Sequence, residues 1–198
     1  MRKYAIWIIL GVLVFFAITS YNGLVSSRES VNKAWANVEG QYQRRADLIP
    51  NLVRTVEGVA DFEKSTLIAV TQARQQVTNL KVDPNNLTQE QLQSYQAAQA
   101  QVGSALNRLL LVVERYPELK ANKSFEELQS QLEGTENRIS EERRKFNEAT
   151  QAYNTSRLRF PRVIFANLLG FKERPYFTAD TGSEKAPEVN FGKNDSIR

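Results

Sequence analysis

The chain of 198 residues contains no cysteine and no histidine. Without cysteine there is no disulfide, no thiolate nucleophile and no cysteine-ligated zinc. The same absence leaves the compartment open, because a thiol-free protein tolerates either redox state. Without histidine the commonest general base and the commonest neutral metal ligand are missing. Chemistry would fall to carboxylates, lysines, tyrosines and hydroxyls, a poor basis for catalysis. No enzyme activity, metal or cofactor is expected. Charge of one sign is also in short supply as an excess: 26 basic and 22 acidic side chains leave a net charge of +4. So mild and interleaved a surplus suits a solvated helical surface near an anionic bilayer. It argues against nucleic acid, for which no recognised module or basic-aromatic platform is present.

What the chain does have is one long apolar run. Residues 4–27 carry no charge, and residues 5–18 read AIWIILGVLVFFAI. With its flanks the run reaches about 18 residues, roughly 27 Å as a helix, enough to span a hydrocarbon core. Tyr4, Trp7 and Tyr21 stand near its two ends, where amphipathic rings settle at a membrane interface. A cleaved signal peptide fits less well: Arg2 and Lys3 precede the run, but no small-x-small cleavage site follows it. A buried core helix is excluded because no face is polar. The expectation is a signal-anchor helix over residues 1–22 in the cell membrane. The positive residues ahead of it lean towards an N-in, C-out orientation.

Beyond Tyr21 the pattern becomes a heptad. Leu24, Val31, Val38, Leu52 and Val59 form one row, and Trp35, Tyr42, Ile49 and Val56 a second, offset by four. This is a helix with one buried stripe. Gly23 is the only soft point between stripe and anchor, so the two are expected to form a stiff stalk. Pro50 removes the bond to the Ala46 carbonyl, and because the heptad phase persists through it, a kink is expected there. Asp47 is placed to accept from backbone groups that such a kink frees. The helix is expected to continue through Leu67, Val70, Ala73 and Val77 to about Leu80. A loop over 82–86 and a Thr88/Gln91 capping box then introduce a second helix ending near Arg115. A Ser124/Glu127 box introduces a third, running to about Leu158. Residues 162–170 read as a short apolar helix between Pro161 and Gly170. The fold class is therefore all-α: a transmembrane helix, then an up-down antiparallel bundle over 23–170 of three long helices and a short fourth. Residues 171–198 read as an irregular or extended tail, with Tyr176, Phe177, Val189 and Phe191 as anchors.

Seven stretches, in order, carry a resemblance. They are YNGLV at 21–25, RRADLIPNLVRTVEGVADFE at 44–63, ARQQV at 73–77, ERYPELKAN at 114–122, FEELQSQLEGTENRI at 125–139, YNTSRLRFP at 153–161 and PEVNF at 187–191. Together they resemble the bacterial LemA family over nearly the whole chain. The resemblance implies an N-terminal membrane helix and a helical-bundle domain. It implies no reaction. It also implies a small N-terminal segment outside the cell, opposite to the charge argument.

Four residues form the leading candidate cluster: Arg44, Arg45, Asp47 and, from a neighbouring helix, Glu114. Arg45 occupies a heptad position where an aliphatic residue belongs, so its guanidinium must be paired. The arrangement is either a buried pair that fixes helix register or a polar site for a ligand. Glu133, Glu136 and Asn137 surround Gly134 and are either a cation site or a solvated face. Tyr116-Pro117 is either a plug at the end of the bundle or a docking loop. Arg157, Arg159 and Arg162 would meet anionic headgroups if the third long helix returns to the membrane, with residues 163–169 dipping into the interface. Otherwise they cap the bundle. The expected role is a non-enzymatic interaction or scaffold protein of the cell envelope, with the bilayer and a protein partner or a second copy as its contacts. A carboxylate-dependent enzyme and a lipid-binding or membrane-remodelling protein are the competing readings.

Overall fold

The computed structural model describes residues 2–59 and 62–178. All its regular elements are helices: α1 (Arg2–Glu57), α2 (Lys64–Asn79), α3 (Gln89–Val113), α4 (Pro117–Lys120), α5 (Lys123–Leu158) and α6 (Arg162–Leu168). The expected all-α bundle is present. α1 is unbroken from the apolar run into the bundle. Its first part is exposed from Tyr4 to Ile18 and has no protein packed around it, and the helix is long and apolar enough to cross a membrane. From Leu24 onward both heptad rows turn inward: Leu24, Val31, Trp35, Val38, Tyr42, Ile49, Leu52 and Val56 are all buried. Each such side chain contributes roughly 1.5–3 kcal/mol of burial.

The core falls into two clusters along α1. The one far from the apolar run joins Ile49, Leu52 and Val56 to Leu67 and Val70 of α2, Leu106 and Leu109 of α3, and Phe125 and Leu132 of α5. The near one joins Leu24, Val31, Trp35, Val38 and Tyr42 to Leu92 and Tyr95 of α3 and Ile139, Phe146 and Tyr153 of α5. These memberships give the topology. α3 runs alongside α1 in the same direction, α5 runs back antiparallel, and α5 ends beside the exit of the apolar segment. α2 descends only part of the way. The chain after it, with Val82 and Leu87 packed on the near cluster, continues down α1 to Asn32, which donates to Asn85 at 3.1 Å.

Here the structure departs from the sequence expectation. The helix expected to reach Leu80 ends at Glu57, and Gly58 follows it, a residue suited to leaving a helix. Phe62 turns into the core against the Tyr116 ring, 5.1 Å away, so Tyr116 packs at the far end of the bundle. The bundle therefore has four main helices, α1, α2, α3 and α5. Pro50 lies inside α1 and does not end it. The carbonyl it leaves unbonded, Ala46 O, accepts from Arg74 Nε of α2 at 2.8 Å. Asp47, expected to serve the distorted backbone, instead accepts from Gln43 at 2.8 Å. The Thr88/Gln91 capping box forms as read. The cap of α5 is Asn122, whose Oδ1 accepts from the backbone of Ser124 and Phe125, in place of the expected Ser124/Glu127 box.

Candidate functional site

The polar centre of the molecule is Arg45, only 4% exposed. α1 presents it on the buried stripe where the two core clusters meet. Nη1 donates to Glu136 Oε2 of α5 at 2.7 Å, and Nη2 donates to the Gln99 backbone carbonyl at 3.0 Å and to Gln99 Oε1 at 2.6 Å. The guanidinium also lies over the Tyr42 ring, 5.3 Å from its centre. One cation thus ties α1 to α3 and α5 at a single height. Tyr42 in turn packs edge-on against Tyr95 of α3, with ring centres 5.5 Å apart. Burial pushes the Tyr95 hydroxyl up to about 12. A cavity of about 370 Å³ opens beside this centre, bounded by Glu39, Tyr42, Lys81, Tyr95 and Gln99.

The partners expected for Arg45 are elsewhere. Arg44 and Asp47 are exposed on α1. Glu114 pairs with Lys120 across the turn between α3 and α4. Glu133 is exposed and accepts from Gln129 at 3.0 Å on its own helix. Asp47, Glu114 and Glu133 are thus all solvent-facing, each held by a different local partner, and among the described residues no three acidic side chains gather to hold a metal. Gln99 and Glu136 are the functional partners that sequence reasoning missed. Gln99 had a visible signal. It interrupts the apolar row Leu92, Tyr95, Val102, Leu106, Leu109 of α3, as Arg45 interrupts that of α1.

A second arrangement surrounds residues 171–178, which run in extended form along α5. Asn154 donates to the Arg174 carbonyl at 2.9 Å and accepts from its N–H at 3.0 Å. Seven residues earlier on α5, Asn147 does the same for Phe177, at 3.0 and 2.9 Å. Two asparagines thereby offer the extended segment the pairing a neighbouring strand would give. Phe177 is clamped by rings: it stacks on Trp35 with centres 6.1 Å apart and meets Phe146 edge-on at 5.3 Å. Arg174 is buried and donates to the Pro84 carbonyl, and desolvation holds its pKa below the ordinary arginine value. Of the four anchors expected here, Phe177 is buried and Tyr176 half-buried; Val189 and Phe191 lie outside the described residues.

The three arginines at the end of α5 are mostly turned inward. Arg157 reaches Glu173 at 3.3 Å, and Arg162 donates to Ser156 at 2.6 Å with its guanidinium against Gly23 of α1. Arg159 is exposed. This corner of the bundle stands beside the point where the apolar segment ends.

A helical bundle carried by a single apolar helix, its central charge satisfied by its own side chains, defines a membrane-associated bundle protein. The chain belongs to the LemA family, whose model matches residues 34–191. It is similar to Magnetosome protein MamQ 2 of Paramagnetospirillum magneticum, 29% identical, over 85% of this chain and 69% of that protein. MamQ of Magnetospirillum gryphiswaldense is 27% identical over the same shares. Protein LemA of Metamycoplasma hominis is 23% identical over 74% of this chain and 63% of its own length.

Proposed function

We propose that the protein is a membrane-anchored, non-enzymatic scaffold whose bundle surface binds other envelope proteins or further copies of itself. The observation that carries this reading is the continuity of α1: the helix able to cross the membrane and the helix that organises the core are one element, Arg2–Glu57. A bundle built on its own anchor is held at a set angle to the bilayer instead of swinging on a linker, which favours presentation of a surface over capture of a diffusing substrate. The chemistry supports the same reading. Arg45 is consumed in tying three helices together, and the carboxylates that an enzyme of this composition would need are exposed and apart in their contacts. An N-in, C-out orientation, drawn from the charges flanking the anchor, places the bundle outside the cytoplasm.

Cross-linking of the full-length protein in intact membranes, followed by identification of the products, tests the scaffold reading. Defined hetero- or homo-oligomeric species are expected; monomer alone under efficient cross-linking would sink it. Protease accessibility in intact cells tests the orientation, with cleavage of the bundle from outside as the expected result.

A further inference from the structure

Among the described residues outside α1, eight large apolar side chains are exposed, and five of them lie between Leu158 and Leu169. They are not scattered over that segment. Ile164 and Leu168 stand one turn apart on the same face of α6, 55% and 79% exposed, and Phe160, in the turn just before the helix, is 81% exposed; the three make up the apolar stripe of this corner. The opposite side of α6 faces the bundle through buried Ala166 and inward-turned Arg162. A short amphipathic helix thus shows its apolar side to something other than its own protein.

Its height relative to the membrane follows from α1. Arg162 sits against Gly23, and Phe171, just after α6, packs edge-on against Tyr21 with ring centres 5.9 Å apart. α6 is therefore level with residues 21–23 of α1. At 1.5 Å per residue this lies roughly 5–8 Å beyond Ile18, the last residue of the apolar run. The headgroup layer on each side of a bilayer is about 5–8 Å thick. Amphipathic helices rest at this depth with their apolar face in the acyl boundary. Exposed Arg159 and Lys172 flank the stripe, where anionic headgroups would meet them.

We infer that the corner formed by the end of α5 and α6 is a second membrane contact, in which Phe160, Ile164 and Leu168 insert into the interfacial layer of the same bilayer that α1 crosses. The bilayer is the occupant because the contacts to Tyr21 and Gly23 hold the stripe beside the anchor at headgroup depth. Two attachment points on one face would set the rotation of the bundle about the α1 axis as well as its tilt. The inference rests on the anchoring role of α1.

The absence of native cysteine makes the test direct. Single-cysteine variants Ile164→Cys, Leu168→Cys, Leu10→Cys and Leu111→Cys of the full chain are labelled with an environment-sensitive fluorophore. They are then reconstituted into phosphatidylcholine vesicles, with and without phosphatidylglycerol, containing lipids that carry a nitroxide quencher near the headgroup. All four positions are exposed, and helical circular dichroism verifies the fold of each variant. Quenching and a blue shift at 164 and 168, with neither at 111, are expected. Labels at 164 and 168 as wet and unquenched as the one at 111, while the label at 10 is quenched, would overturn the second contact and leave the anchor standing. An unquenched label at 10 would overturn both. Blue-shifted but unquenched labels at 164 and 168, with the unlabelled variants oxidising to disulfide-linked dimers through the same positions, would assign the stripe to a second copy and reject the bilayer as its occupant.

Discussion

The two halves of the core are built from different materials. Far from the membrane segment, the bundle is held mainly by aliphatic side chains, among them Ile49, Leu52, Val56, Leu67, Val70, Leu106 and Leu109, with Phe62, Tyr116 and Phe125 at its end. Close to it, the core is rich in rings, with Trp35, Tyr42, Tyr95, Phe146 and Phe177 linked by ring contacts and Tyr153 in the same cluster. The far half contains packing that many aliphatic combinations would satisfy. The near half has oriented rings, a buried arginine at its border, and asparagines that pair with an extended backbone. Such features specify one arrangement of helices, at a cost if any member is lost. The specific half is the one next to the bilayer, where the angle between anchor and bundle is set.

The largest break in this comparison should come from Trp35→Ala, which removes the ring on which Tyr95, Phe146 and Phe177 all pack. A loss of about 4 kcal/mol is expected in denaturant unfolding of the detergent-solubilised protein. Near-ultraviolet circular dichroism should fall with it. In the far half Leu109→Ala should cost about 3 kcal/mol and leave the near-ultraviolet signal in place. If both substitutions erase that signal equally, the division of the core into two regimes is wrong. Next in size is the border. Gln99→Leu removes the Oε1 acceptor from a buried guanidinium, keeping only the backbone carbonyl at that position, and should cost about 2 kcal/mol. Arg45→Met replaces the charge with the apolar residue type the heptad expects and should stay within about 1 kcal/mol of the parent. A larger loss in Arg45→Met than in Gln99→Leu would show the arginine to be a net stabiliser and not a device of register. Asn154→Ala should cost about 1–2 kcal/mol by leaving the Arg174 N–H and C=O unpaired. Hydrogen exchange should then rise in residues 171–178 while that of α2 stays unchanged.

The difference between the halves also explains what could be read from the chain and what could not. The apolar run, the stripe from Leu24 to Val56 and the Thr88 cap are local patterns with local causes, and all were legible. The end of α1 was not, because Val59 continues the sevenfold row past Gly58 and conceals the exit. Arg45 was legible as a charge that required a partner. Its partner was not, because Glu136 and Gln99 reach it only through the relative heights at which α3 and α5 settle. The pairing of Asn147 and Asn154 with residues 174–177 had no signature at all: one side of each contact is backbone, which every residue carries. The arginines of the α5–α6 corner suggested a membrane surface by charge. The structure turns two of them inward and leaves Ile164 and Leu168 outside, within the segment the sequence offered to the interface; the share of Phe160 was hidden because it precedes α6 instead of lying within it.

The smallest expected effect is a pH dependence confined to the aromatic half. Tyr95 is buried beside Tyr42, Glu39 and Arg45, and desolvation raises its pKa to about 12 from the ordinary value of 10.0. In the unfolded chain the phenol loses its proton near the ordinary value, while the folded protein keeps it. The native state therefore binds more protons than the unfolded state above that pH, and stability must fall as pH rises. The contribution is fully present below pH 10 and is lost progressively towards pH 12, at about 1 kcal/mol by pH 11. Tyr153, also raised by burial, acts in the same direction, so Tyr95→Phe should flatten the alkaline decline in part and not abolish it. Unfolding midpoints of the parent and of Tyr95→Phe, measured at pH 8 and at pH 11, check this. Leu109→Ala removes no titratable group and should shift both midpoints equally. A parent whose stability is flat between those two values would mean that water reaches the Tyr95 hydroxyl and that the aromatic half is looser than its packing implies.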